Sequence, residues 1–278
     1  MTEAGKREML ILVKILRRLL FVAARFAAVL VLVGPAAGGE TLTAARYAQP
    51  VDRYGHFAPG RPHEYARLTA TTNSGRELVL ELPQNEVFED VAPRLVRLAA
   101  DGPQEILAII SGRASGARLA LIGLRGDAIA ISAQSAAIGT PNRWLNPVGV
   151  ADLDGDGRAE IAAVITPHIS GTLKVYRRKG AELVEIAALA DFSNHVYGTP
   201  ELALSAPMSI EGRMRLLVPD AARRKLRIIA LEGGKVVEIG RCALSAPITG
   251  AIKLLSPREI SVGLSSSRPV IAVGNCLK

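Results

Sequence analysis

Three carboxylates alternate at i, i+2 and i+4 in Asp152-Leu153-Asp154-Gly155-Asp156-Gly157-Arg158-Ala159-Glu160, and a fourth follows at i+8. Glycines stand where such a turn has to bend. Hard cations such as Ca²⁺ take six to eight oxygens at about 2.3–2.6 Å, and this spacing offers side-chain ligands from Asp152, Asp154, Asp156 and Glu160. Arg158 would add only its backbone carbonyl. A helix–loop–helix calcium loop is excluded, because it needs a bidentate Glu at position twelve and that position is Ala163. The flanks, Val148-Gly149-Val150 and Ile161-Ala162-Ala163-Val164, are short and β-rich, so the expected element is a turn between two strands. The other reading is a solvated Asp/Gly turn without metal.

Imidazoles are the second source of chemistry. Of His56, His63, His168 and His195, the last two lie in connectors, His168 after the strand that follows the acidic turn and His195 after Asn194. Trp144 lies in the connector ahead of the turn. Connectors that converge on one end of the fold make Trp144, His168, Asn194 and His195 a candidate ligand face. The competing reading has each histidine satisfying a nearby backbone group. No catalytic residue is assigned: the chain has no G-x-S-x-G, H-E-x-x-H or phosphate-binding loop. The polar, turn-rich stretch 46–56 lacks a strand period and is assigned no chemistry.

The elements that position these residues are short. The chain is 49% hydrophobic but 4% aromatic, with 26 Gly and 16 Pro dividing Val/Ile/Leu runs, which favours β structure. Residues 173–186 and 226–239 align without a gap as strand, Gly turn and strand, and weaker copies run over 119–131 and 68–80. A second unit alternates with them, over 94–110, 148–164, 208–218 and 252–262. Only its copy at Asp152 keeps the carboxylates. Repeats of about 50 residues worth four strands each predict an all-β β-propeller of about four blades. The count becomes five if residues 270–273 belong to another. The order of units predicts closure of the ring by N- and C-terminal strands in one blade. A β-sandwich is the alternative.

The Asp152 loop, with its D-x-D-x-D-G-x-x-[DE] pattern and the apolar strand after it, resembles the FG-GAP/VCBS repeat of integrin-α-like propellers, of the secreted bacterial type. Asp152, Asp154, Asp156, Gly157, Glu160 and Ile161 carry the likeness, and residues 143–151 add to it. The resemblance implies a propeller with Ca²⁺ in its blade loops.

Targeting is written at the N-terminus. Basic residues recur up to Arg25, residues 26–33 are apolar, and Gly34-Pro35-Ala36-Ala37-Gly38-Gly39 supplies small residues. That order predicts a signal peptide over 1–38, cleaved after Gly38 or Gly39, an irregular lead-in over 39–64 and the propeller over 65–278. An uncleaved anchor is the alternative, and it would be the only membrane contact. Half of the formal charge of +8 lies in the leader, and no basic stripe is interleaved with aromatics, which argues against nucleic acid. An even pair of cysteines in an exported chain, Cys242 and Cys276, is a disulfide candidate. The expectation is a periplasmic or secreted, calcium-stabilised binding or scaffold module for an envelope protein or glycan. The alternative is an enzyme acting on an envelope polymer.

Overall fold

The computed structural model describes residues 39–169 and 171–277, so the expected leader lies outside the described residues. Those residues form an all-β body of antiparallel meanders. The first holds β1 (Leu42–Pro50), β2 (Tyr65–Thr72) and β3 (Glu77–Glu81). The second holds β4 (Glu86–Phe88), β5 (Arg94–Val96), β6 (Glu105–Gly112), β7 (Gly116–Arg125) and β8 (Ala128–Ser135). The third, around the acidic turn, holds β9 (Leu145–Ala151), β10 (Glu160–Ile165), β11 (Gly171–Lys179) and β12 (Glu182–Phe192). The fourth holds β13 (Ala206–Ile210), β14 (Arg213–Pro219), β15 (Lys225–Glu232) and β16 (Lys235–Ala243). The last holds β17 (Ile248–Leu254), β18 (Glu259–Leu264) and β19 (Val270–Ala272).

The four repeated hairpins are β2–β3, β7–β8, β11–β12 and β15–β16. Their likeness extends to the backbone. The register shifts at Val175/Tyr176 in β11 and at Ile228/Ile229 in β15, positions 53 residues apart in sequence, and again at Leu121/Ile122 in β7.

Second strands are buried on both faces, which is why they read as continuous apolar runs rather than alternating ones. In β6, Ile106, Ala108 and Ile110 pack toward the first meander, while Leu107 and Ile109 pack toward the third. In β10, Ile161, Ala163 and Ile165 face the second meander, and Ala162 and Val164 face the fourth. In β14, Leu216 and Val218 face the third, and Leu217 faces the last. Each successive pair of meanders thus shares one apolar cluster, and the period-two pleat decides which residue joins which.

The ends of the array correct three expectations. Residues 39–64 are not wholly irregular, because β1 lies within them and pairs along β2. The first three meanders join in one 12-stranded sheet, the last two form sheets of four and three strands, and Val270–Ala272 lies in the same sheet as β17 and β18 rather than in a further one. Among the described residues, the N- and C-terminal strands lie in different hydrogen-bonded sheets. β1 and β3 flank β2, and β17–β19 pair only among themselves. The last sheet is tied backward instead, by the Cys242–Cys276 disulfide, whose Cα atoms lie 4.9 Å apart. With a sequence separation of 34, the chain-entropy account gives this link about 3–4 kcal/mol.

Candidate functional site

The acidic turn joins β9 to β10 and is held by its own backbone. Asp152 accepts hydrogen bonds from the amides of Gly155, Asp156 and Gly157 at 2.7, 3.1 and 3.0 Å. Asp154 accepts from Asp156, and Asp156 from Arg158. Gly155 and Gly157 take φ of +83° and +85°, which a side chain would resist. One carboxylate oxygen from each aspartate lies within 4.8 Å of the others. Glu160 is not among them. Its buried carboxylate accepts from Leu153 N at 3.0 Å and takes Nε and Nη2 of Arg177 at 3.0 and 2.7 Å. Arg177 also reaches Asp154, so a guanidinium already balances two of the four expected ligand carboxylates. The Arg158 backbone forms a bridge to Ala99, and its neighbour Ala159 donates to Leu98 O. As a donor set, the three aspartates suit an oxygen-seeking cation, whereas Glu160 in this position serves Arg177.

The histidines come together at a different place, where three connectors and the lead-in meet. His168 Nε2 lies 2.7 Å from His195 Nδ1, and His195 Nε2 lies 2.8 Å from Thr199 O. The proton positions follow from the acceptor. A carbonyl only accepts, so His195 Nε2 carries the hydrogen, and Nδ1 of the neutral ring receives one from His168 Nε2–H. That leaves His168 Nδ1 a bare lone pair with no partner among the described residues. Trp144 lies parallel to His168 at 6.0 Å between centroids and tilted against His195 at 4.8 Å, and its Nε1 donates to Glu89 O at 2.8 Å.

Asn194 sits behind the imidazoles in a reciprocal pair. Its Nδ2 donates to Asn146 O, while Asn146 Nδ2 donates to Asn194 O. This amide pair stitches the start of β9 to the connector before β13.

Four further residues were not legible as a site. Pairing along β6 is interrupted between Phe88 and Arg94, and Glu89 stands at the start of this break. Glu89 is fully buried and accepts from Ala58 N, Ser111 Oγ and His56 Nδ1 at 2.9, 2.6 and 2.8 Å. His56 therefore donates through Nδ1 and presents Nε2. Glu64, also fully buried, accepts the amides of Gly55, His56 and Phe57 and so shapes the loop that carries His56. Tyr197 closes the cluster: its ring lies 5.7 Å from His56 and 5.3 Å from His168, and its hydroxyl donates to His56 O at 2.7 Å. Tyr54 stands edge-on to His56 and accepts from Asn142 N. Two adjacent acids between apolar residues, Phe88-Glu89-Asp90-Val91, were the available signal for Glu89.

The structure thus brings Trp144, His168, Asn194 and His195 to one end, but buries Trp144, Asn194 and His195 to 1%, 0% and 0% exposure. What reaches solvent there is Tyr197, at 55%, and Ile169, at 58%. His56 and His168 are partly exposed. The buried members support the surface members.

Burial sets the electrostatics. His168 is held down at about 3 by loss of solvation, with His195, His56 and Arg223 pushing the same way. His195 is held at about 4, again mainly by burial and partly by Arg223, against the upward pull of Thr199 and Glu201. Both rings have lower pKa values folded than unfolded, so as pH falls below 6.5 the unfolded chain takes up protons that the folded one refuses. Stability is retained above about pH 6.5 and is lost as pH falls toward 4, each ring contributing at most about 1.4 kcal/mol per pH unit. Melting measured from pH 7 to 4.5 should show a steeper decline for the native protein than for His195→Gln. Parallel slopes would place the acid sensitivity elsewhere.

No family model matches the chain, and no curated protein matches it. Among solved structures, a Bacteroides fragilis protein described as a 6-phosphogluconolactonase matches with a TM-score of 0.40 and 16% identity, over 75% of this chain. The chain spans 60% of that structure. A likeness this loose assigns no activity. The comparisons also correct the family expectation: the FG-GAP/VCBS pattern is confined to the Asp152 loop and does not extend to a match with that family.

Proposed function

We propose that the five meanders are blades of a propeller-type body, exported to the periplasm or beyond, that acts as a binding module for an envelope protein or glycan. Consecutive meanders sharing one core each support the propeller reading, and the basic–apolar–small leader supports export. The observation that carries the function is the exposed Tyr197, seated on His56 and His168 over a fixed base of Trp144, His195 and Glu89. A rigid aromatic anchor on a preorganised support is what recognition surfaces use, since little side-chain entropy is lost on binding. Ca²⁺ is proposed at Asp152, Asp154 and Asp156, remote in role from this face, as a stabiliser of the β9–β10 turn.

The test is capture of an envelope component, identified by mass spectrometry and then titrated in purified form. Tyr197→Ala should weaken its binding by about tenfold or more. Equal affinity of variant and native protein would remove Tyr197 from the ligand face. The pairing of buried Glu89 with His56, whose Nε2 is left to act as a base, favours an enzyme on an envelope polymer as the second reading. Turnover of polymer that His56→Gln abolishes would select it.

A further inference from the structure

A cavity of about 260 Å³ opens where the turn before β6 meets the acidic turn before β10 and the end of β11. Its walls are tied together through the backbone. Ala99 forms a bridge with Arg158, Ala159 N donates to Leu98 O at 2.8 Å, and Gly102 N donates to Ala99 O at 3.0 Å. Leu98, Ala99, Pro103 and Ala159 give the cavity an apolar side, and Arg158, Arg177 and Arg178 give it a cationic one. Glu105 is the carboxylate of the lining.

Each guanidinium keeps donors to spare. Arg178 gives Nη1 to Glu105 Oε2 at 2.5 Å and Nε to Gly180 O at 3.0 Å, while Glu105 also accepts from Ser132 Oγ. Arg178 Nη2 makes no bond among the described residues. Arg177 spends Nε and Nη2 on Glu160 and Asp154, which stand outside the lining, and keeps Nη1. Arg158 is exposed, and its side chain has no hydrogen bond or ion pair among the described residues. The side chains of Arg177 and Arg178 are partly exposed, so a ligand in the cavity can meet all three.

The same place recurs one meander later, as a cavity of about 390 Å³. The repeats align Gly102, Gly157 and Gly212, and the hairpins of the third and fourth meanders align at 53 residues. Asp154 then stands at the position of Ala99, Arg213 at that of Arg158, and Ala230 and Leu231 at those of Arg177 and Arg178. In the later cavity, Asp152 and Asp154 join Arg213 and Arg215 in the lining, so the chain supplies its own anions. In the earlier one no aspartate lines the cavity among the described residues, and two arginines replace apolar side chains.

We propose that the cavity between the second and third meanders binds a small molecule in which an anionic head, a carboxylate or a phosphate, is joined to an apolar body. The head takes the place of the carboxylates that the next cavity draws from its own turn. Guanidinium groups suit such a head, because charge-assisted hydrogen bonds to carboxylate and phosphate oxygens match their planar fork. The apolar body lies against Leu98, Ala99 and Pro103. Ligand cavities usually measure about 300–1,000 Å³, so this one takes a small molecule rather than a polymer. The site shares no lining residue with the histidine cluster and stands apart from the reading of Tyr197.

The experiment is isothermal titration calorimetry of the full chain with phenyl phosphate, benzoate and inorganic phosphate. Saturable binding of phenyl phosphate, of benzoate or of both is the expected result, and which of them binds names the head group. Inorganic phosphate should bind about tenfold more weakly than phenyl phosphate, because it leaves the apolar wall empty. Arg158→Glu should weaken binding by about tenfold or more, and Arg158→Met by less. Arg213→Glu, the same change in the next cavity, should leave binding unaltered. Melting curves report whether the variants fold. Native protein that binds neither organic anion would overturn the proposal, as would a folded Arg158→Glu variant that binds like the native protein. Equal losses in Arg158→Glu and Arg213→Glu would overturn it too, since the effect would then be one of overall charge. Equal affinity for phenyl phosphate and inorganic phosphate would overturn the apolar body.

Discussion

Arg177→Met is expected to cost about 3 kcal/mol in the presence of chelator, the lower end of the range for breaking a buried ion pair. Glu160 has no exposure, and apart from Leu153 N its only partner among the described residues is the Arg177 fork. Removing the guanidinium leaves a carboxylate in the core with one hydrogen bond. Arg177 itself is 32% exposed at its side chain, which is why the lower end applies. Calcium should restore part of the loss, because Glu160 and Asp154 are then released toward the turn. Asp154→Ala in the same background should abolish that recovery. Chemical denaturation with and without calcium measures both. An Arg177→Met variant as stable as the native protein would show that Glu160 does not depend on the pair.

Trp144→Ala should be more damaging, at about 3–5 kcal/mol. The indole is 1% exposed and fills the cluster between the second and third meanders, against residues such as Leu107, Ile109 and Leu119. Truncation also strips His195 of its ring neighbour and removes the donor that Glu89 O accepts. Trp144→Phe retains much of the volume and loses the hydrogen bond, so about 1 kcal/mol is expected. Urea unfolding followed by circular dichroism separates the two. Equal losses would mean that the hydrogen bond, not the packing, is what the site needs. Trp144 is the only tryptophan in the chain, so its fluorescence in the native protein reports on the candidate site alone.

What could be read from the sequence was local. The hairpins were legible because a strand, a glycine turn and a strand lie within about 15 residues. The acidic turn was legible because the backbone amides that its aspartates accept lie at most five residues away. The pairing of Glu160 was not legible, because spacing along the loop says nothing about a guanidinium 17 residues downstream. β1 was missed because its sequence, LTAARYAQP, buries only Leu42 fully and so lacks an alternating signal. The terminal sheets were paired on the expectation that β2 had a free edge, and β1, unseen in the sequence, occupies that edge. The site was half legible. Trp144, His168 and His195 stood out as rare residues in connectors. Glu89, Glu64 and Tyr197 looked ordinary, and their roles rest on partners that local patterns do not connect.

The loop at 54–60 carries a consequence for how the molecule assembles. Tyr197 bonds to the His56 carbonyl across 141 residues, and Gly198 N bonds to Ala58 O. Gly60 packs against Gly198 so closely that a Cβ there would meet its carbonyl at 2.8 Å. Each meander closes over short distances and can form early, whereas this strap gains its contacts only once the segments between them are in place. This end is thus expected to be the last part completed as the chain folds, and the first to open under stress. Amide exchange should find Gly198 releasing its proton well before the amides of β6 and β10, with the sheets still intact.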